Sequence, residues 1–171
     1  MQERTGVTGR GSVPLTLLGP ELKIGDKAPQ FTLTDNSFQP FTLEKLAGKV
    51  CIISCVPSLD TPVCDLETRR FNTEAAKLGP DVLVLTVSMD LPFAQKRWCG
   101  AAGVDKVITL SDYRGAEFAQ SYGVLIKEMH LLARVIFVLD KNGVISYIQT
   151  VKDVGTEPDY AAVLQAVKKL L

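Results

Sequence analysis

No apolar run in the sequence approaches the roughly 18 residues that a membrane-spanning helix needs. Val13–Leu18 is apolar but short, and Pro14 and Thr16 interrupt it. The opening Met1-Gln2-Glu3-Arg4 carries an early acid and no apolar stretch of signal-peptide length. A membrane role is therefore not expected, and a cytoplasmic location is. Excess charge of either sign is also missing, since Lys+Arg and Asp+Glu both number 19. Nucleic-acid partners and anionic membranes would ask for surplus Lys and Arg. Arg69-Arg70 and Lys168-Lys169 are expected to be solvated helix faces. Cysteine is scarce, with four in 171 residues, which is too few for a disulfide scaffold. There is a single histidine, His130, no C-x-x-C pair, no internal repeat and no Gly-Lys-Ser/Thr phosphate loop.

The chain length suits one domain, residues 1–171, with residues 1–20 as an N-terminal hairpin extension around Gly9-Arg10-Gly11. Short β-branched runs at Val50–Val56, Val82–Val87, Val107–Leu110 and Val135–Leu139 predict buried strands. Asn142-Gly143 predicts a tight turn into a further strand at Val144–Ile148. Helices alternate with these strands. Pro62 suits the first turn of one that ends at Gly79 and aligns Cys64, Phe71, Ala75 and Leu78. Asp90 is expected to cap a second, with Pro92 in its first turn and Gly100 at its end. Arg114–Tyr122 is expected to form a third. The last carries an apolar stripe through Tyr160, Val163, Leu164, Val167, Leu170 and Leu171, with Thr156 and Asp159 as a capping box. This order predicts an α/β layered domain with a mixed sheet, flanking helices and an antiparallel hairpin at one edge. It is compatible with a thioredoxin-like sandwich without selecting it.

Cys64 carries the most chemistry. It falls in the first turn of a helix that follows a buried strand and Pro57. Free N–H groups and the positive end of the helix dipole there favour thiolate over thiol. A thiolate serves peroxide, disulfide and acyl chemistry alike. Position alone suits an inert buried cysteine equally well. Thr61 can offer its hydroxyl to a backbone N–H, to the sulfur or to a bound oxygen, and Pro57 can shield the pocket. Cys51 and Cys55 share a strand face with Ile53 and are expected in the core.

Pro57-x-x-x-Thr61-x-x-Cys64 resembles the active-site motif of the peroxiredoxins. Pro57-Ser58-Leu59-Asp60-Thr61-x-Val63-Cys64 resembles one branch in particular, the bacterial thiol peroxidases of the atypical two-cysteine type. Ser88-x-Asp90-Leu91-Pro92-Phe93-Ala94-Gln95-x-Arg97-x-Cys99-Gly100 is similar to the resolving-cysteine segment of that branch. Glu117-Phe118, Tyr122-Gly123-Val124, Ala133-Arg134 and Thr156–Tyr160 also match. The resemblance implies a thioredoxin-like fold, a homodimer, and reduction of hydrogen peroxide and alkyl hydroperoxides. It implies Cys64 as the peroxidatic cysteine and Cys99 as the resolving one, joined in turn by an intramolecular disulfide. Thr61 and Arg134 would be polar partners of the thiolate and the peroxide oxygens. Thioredoxin would be the reductant, with no metal or organic cofactor. Without the resemblance, Arg134 would be taken as an exposed strand-end residue. Two further readings use the same residues. A thiol–disulfide oxidoreductase or acyl-transfer enzyme would use Cys64, but it lacks C-x-x-C and a second catalytic group beside His130. A zinc-binding structural module would draw on the four Cys and one His, at spacings that do not suit it.

Overall fold

The structure is a computed structural model that describes residues 1–171. In chain order its elements are β1 (Glu3–Arg10), β2 (Val13–Leu18), β3 (Thr32–Thr34), β4 (Pro40–Thr42), β5 (Val50–Cys55), α1 (Pro62–Leu78), β6 (Val82–Ser88) and α2 (Pro92–Ala102). Then follow β7 (Ile108–Ser111), α3 (Glu117–Ser121), β8 (Leu125–Ile126), β9 (Leu131–Leu132), β10 (Val135–Leu139), β11 (Ile145–Thr150) and α4 (Tyr160–Lys168).

The β-branched runs form the middle of a seven-stranded sheet of order β11-β10-β5-β6-β7-β3-β4. β5, β6 and β7 are parallel, while the β10–β11 hairpin lies antiparallel to β5 at one edge. This is the thioredoxin-like mixed sheet. The strands are apolar throughout because both sheet faces are covered. Val50, Ile52, Val84, Ile136 and Val138 pack with Phe71 of α1 and with Val163 and Val167 of α4. Cys51, Ile53, Cys55, Leu85, Val87 and Phe137 face the other way, onto Phe118 and Tyr122 in and beside α3.

A second sheet, β1-β2-β8-β9, is absent from the sequence reading apart from its first hairpin. That hairpin reaches the loop after β11. Gly9 N–H donates to the Lys152 carbonyl at 2.8 Å, Val154 N–H donates to the Gly9 carbonyl at 3.0 Å, and Thr8 Oγ1 donates to the Val151 carbonyl at 2.8 Å. A side chain on Gly9 would meet the Val13 carbonyl oxygen at 2.8 Å, so the turn needs glycine there.

Four helix ends differ from expectation. α2 runs through Gly100 to Ala102 and ends on Gly103, which is in the left-handed conformation (φ 66°). Leu91, not Asp90, is its cap residue. Helix α3 starts only at Glu117, because Ala116 takes φ 54° and the Asp112 carboxylate accepts from the N–H groups of Phe118 and Ala119. Asp159 alone caps α4 by accepting from Ala162 N–H, while the Thr156 hydroxyl turns back to the Asp153 carbonyl.

Candidate active site

β5 ends at Cys55 and the chain crosses Pro57 into a loop that closes on α1. Asp90, at the end of β6, holds that loop: its carboxylate accepts from Ser58 Oγ at 2.7 Å, Leu59 N–H at 2.8 Å and Ser88 Oγ at 2.7 Å. Its role is thus to fix the loop before Cys64 rather than to cap α2. Thr61 is the cap residue of α1, with extended backbone (φ −86°, ψ 144°) and no side-chain cap bond. Its hydroxyl donates to the Ser58 carbonyl at 2.9 Å. The first intrahelical bond runs from Asp65 N–H to the Thr61 carbonyl, so the turn around Cys64 keeps free N–H groups.

The Cys64 sulfur is fully buried in a cluster with Val56 and Leu59, against which Trp98 packs. Arg134 Nη2 donates to it at 3.3 Å. Arg134 is only 1% exposed, contrary to the strand-end alternative. It sits just before β10, where Nε and Nη2 donate to the Val154 carbonyl at 3.1 and 2.7 Å and Nη1 donates to Glu67. Glu67 in turn accepts from Ser54 Oγ at 2.6 Å. The guanidinium is therefore held by two acceptors, the Val154 carbonyl and Glu67, with Nη2 shared between Val154 and the sulfur. Burial works against its charge, yet Glu67 and Cys64 beside it raise Arg134 above its usual range. Burial also raises Glu67 above the ordinary carboxylate range, against the pull of Arg134 and the Ser54 hydroxyl.

A cavity of about 420 Å³ opens over this cluster, lined by Pro57, Thr61, Arg134 and, on its apolar side, Met129, Leu131 and Val154. Pro57, Thr61, Cys64 and Arg134 are thus brought together. Glu67 and Ser54 were not foreseen. The signal existed for Glu67: it lies one turn beyond Cys64 on the stripe that leads to Phe71, an odd place for an acid.

Cys99 stands apart. It is half-buried at the start of the last turn of α2, with its sulfur 3.3 Å from Thr109 Oγ1 and 4.0 Å from Asn36 Nδ2. The preceding Trp98 faces the Cys64 cluster, and its Nε1 donates to Asp65 at 2.9 Å. All four cysteines are free thiols. Cys51 and Cys55 are buried in the core as expected, and burial raises both thiols. No three His, Cys, Asp or Glu side chains gather in an arrangement that could hold a metal ion, which removes the basis of the zinc-module reading. His130 is exposed, with φ 54°, in the turn between β8 and β9.

The redoxin family pattern matches residues 23–164. The chain belongs to the redoxin family. This redoxin is 54% identical to a Bacillus subtilis protein named thiol peroxidase, over 96% of its own length and 98% of that protein. A thiol peroxidase of Staphylococcus aureus is 49% identical over 97% and 99% of the two chains. Among solved structures, a peroxiredoxin-like protein from Aquifex aeolicus superposes with a TM-score of 0.91 at 40% identity, covering both chains fully. The peroxiredoxin resemblance carried by Pro57, Thr61 and Cys64 is borne out, and so is the thioredoxin-like fold. No helix of this redoxin is long and apolar enough to cross a membrane.

Proposed function

We propose that this redoxin is a thiol peroxidase that reduces hydrogen peroxide and alkyl hydroperoxides through Cys64. The carrying observation is the Arg134 guanidinium, held by Glu67 and Val154 and aimed at the Cys64 sulfur. It favours negative sulfur before attack and can bond the peroxide oxygen that gains charge during it. The Cys64 thiolate attacks one peroxide oxygen and the O–O bond breaks. The departing oxygen takes a proton and leaves as water or alcohol, and Cys64 becomes a sulfenic acid. The Cys99 thiol then displaces that hydroxyl, forming a disulfide and water. Thioredoxin, as the external dithiol, reduces the disulfide by exchange. The apolar wall of Met129, Leu131 and Val154 suits an alkyl chain. Thr61 and Pro57 shape the mouth of the site, and the protein works as a cytoplasmic homodimer.

Stopped-flow peroxide reduction tests this reading. Cys64→Ser should abolish the reaction. Cys99→Ser should permit one turnover and then stop at the sulfenic acid. A Cys64→Ser protein that still consumes peroxide at the parent rate refutes the assignment.

A further inference from the structure

The Cys99 sulfur has a polar environment that the peroxide step does not use. Thr109 Oγ1 lies 3.3 Å from it and Asn36 Nδ2 lies 4.0 Å from it. These two residues also hold each other: Asn36 Nδ2 donates to Thr109 Oγ1 at 2.9 Å, and the hydroxyl is 3.2 Å from Asn36 Oδ1. Thr109 is buried in the middle of β7, a rigid anchor. Asn36 sits in the turn between β3 and β4, which is braced as well. The Asp35 carboxylate accepts from the N–H groups of Ser37 and Gln39 at 2.8 and 2.9 Å. The Phe38 ring packs on Phe93 of α2 with centroids 4.6 Å apart. The turn therefore grips α2 at its start through Phe93 and near its end through Cys99.

Consecutive helix residues point roughly 100° apart. Trp98 faces the Cys64 cluster, so Cys99 does not, and its sulfur is bonded elsewhere. A disulfide needs Cα atoms within about 7 Å and sulfurs in covalent contact. Cys99 must leave Thr109 and Asn36 before it can reach Cys64. The last turn of α2 is weakened by Gly100 inside it, which costs the helix about 1 kcal/mol relative to alanine.

We propose that Asn36 and Thr109 form a polar latch that retains the Cys99 sulfur and sets the rate at which it is released toward Cys64. This rests on the reading of Cys99 as the resolving cysteine. The bonds of the latch exist only while α2 is intact. Removing them raises the population of the released form, and with it the rate of disulfide formation. The latch thereby sets how long the Cys64 sulfenic acid persists and how exposed it is to a second peroxide, which would carry it to sulfinic acid.

The test uses the fluorescence of Trp98, the sole tryptophan, adjacent to Cys99. Prereduced protein is mixed with peroxide. The fast phase reports Cys64 oxidation and the slow phase reports disulfide formation. Asn36→Ala and Thr109→Val should each speed the slow phase by about three- to ten-fold, the worth of one hydrogen bond. The fast phase should stay unchanged, and Thr109→Ser should restore the parent slow phase. The peroxide concentration that converts half of Cys64 to sulfinic acid, read by mass spectrometry, should rise by the same factor. Hydrogen exchange across residues 97–102 should quicken in Asn36→Ala, a half-buried turn position that leaves the sheet intact. A slow phase that is unchanged or slower in both variants overturns the latch. A slow phase that survives in Cys99→Ser overturns the assignment of Cys99 itself, which separates the two failures.

Discussion

Replacing Arg134 by Met separates what the guanidinium does for the fold from what it does for the sulfur. The substitution keeps an unbranched, buried side chain but removes every donor to Glu67, Cys64 and the Val154 carbonyl. Glu67, 0% exposed, keeps only Ser54 as a side-chain partner. Breaking a buried ion pair from one side costs about 3–5 kcal/mol, because an uncompensated charge stays behind. At roughly 2–4 °C per kcal/mol for a chain of this size, Tm should fall by about 6–20 °C. The loss depends on pH with a defined sign. Burial already raises the folded-state pKa of Glu67, and loss of Arg134 raises it further. The protonated folded form is then favoured, so stability is retained at low pH and lost as pH rises through that raised value. Adding Glu67→Gln removes the stranded charge and should recover most of the stability. It should not recover activity. The second-order rate constant with peroxide, measured by stopped flow, should be about 100- to 1000-fold below the parent in both variants. Parent-like peroxide reactivity in Arg134→Met, or no recovery of Tm in the double variant, would refute the reasoning.

Two further outcomes follow from other parts of the structure. Burial pushes the Asp112 carboxyl up to about 6, with the Phe118 and Ala119 N–H groups pulling it down. The protonated folded form is favoured, so the parent should lose about 2 kcal/mol relative to Asp112→Asn as pH rises from 4 to 6.5 in denaturant titrations; a flat or rising difference contradicts this. Gly100→Ala places a methyl where no atom lies within 4 Å and stabilises the end of α2. Disulfide formation should slow about two- to five-fold, as the helix propensity gain of roughly 0.5–1 kcal/mol dictates, and an unchanged slow phase would argue against unwinding there.

The central strands were legible because both faces of the sheet are covered, which leaves long β-branched runs in the text. β8 and β9, of two residues each, carry no period to read. The Cys64 loop was legible through Pro57 and Thr61, whose backbone chemistry is local. Arg134 needed a resemblance, because its burial depends on Glu67 from α1 and Val154 from the loop after β11, both remote in sequence. Asp90 shows the opposite error. Beside Pro92 it has the local signature of a cap, but Ser58 and Leu59 compete for the same carboxylate and win. Asp112, five residues before the first residue of α3, is the reverse case. Nothing local marks it as the group that satisfies that helix.

Because Val154, whose carbonyl steadies Arg134, is tied through its own N–H to the Gly9 carbonyl, the reactive sulfur depends on the first ten residues of the chain. Trimming or fusing the amino end is then an active-site perturbation, and Arg10 itself lines the cavity beside Arg134. A purification tag is better carried after Leu171, which is solvent-exposed and remote from the hairpin in sequence. Rates measured on amino-terminal fusions would understate the enzyme.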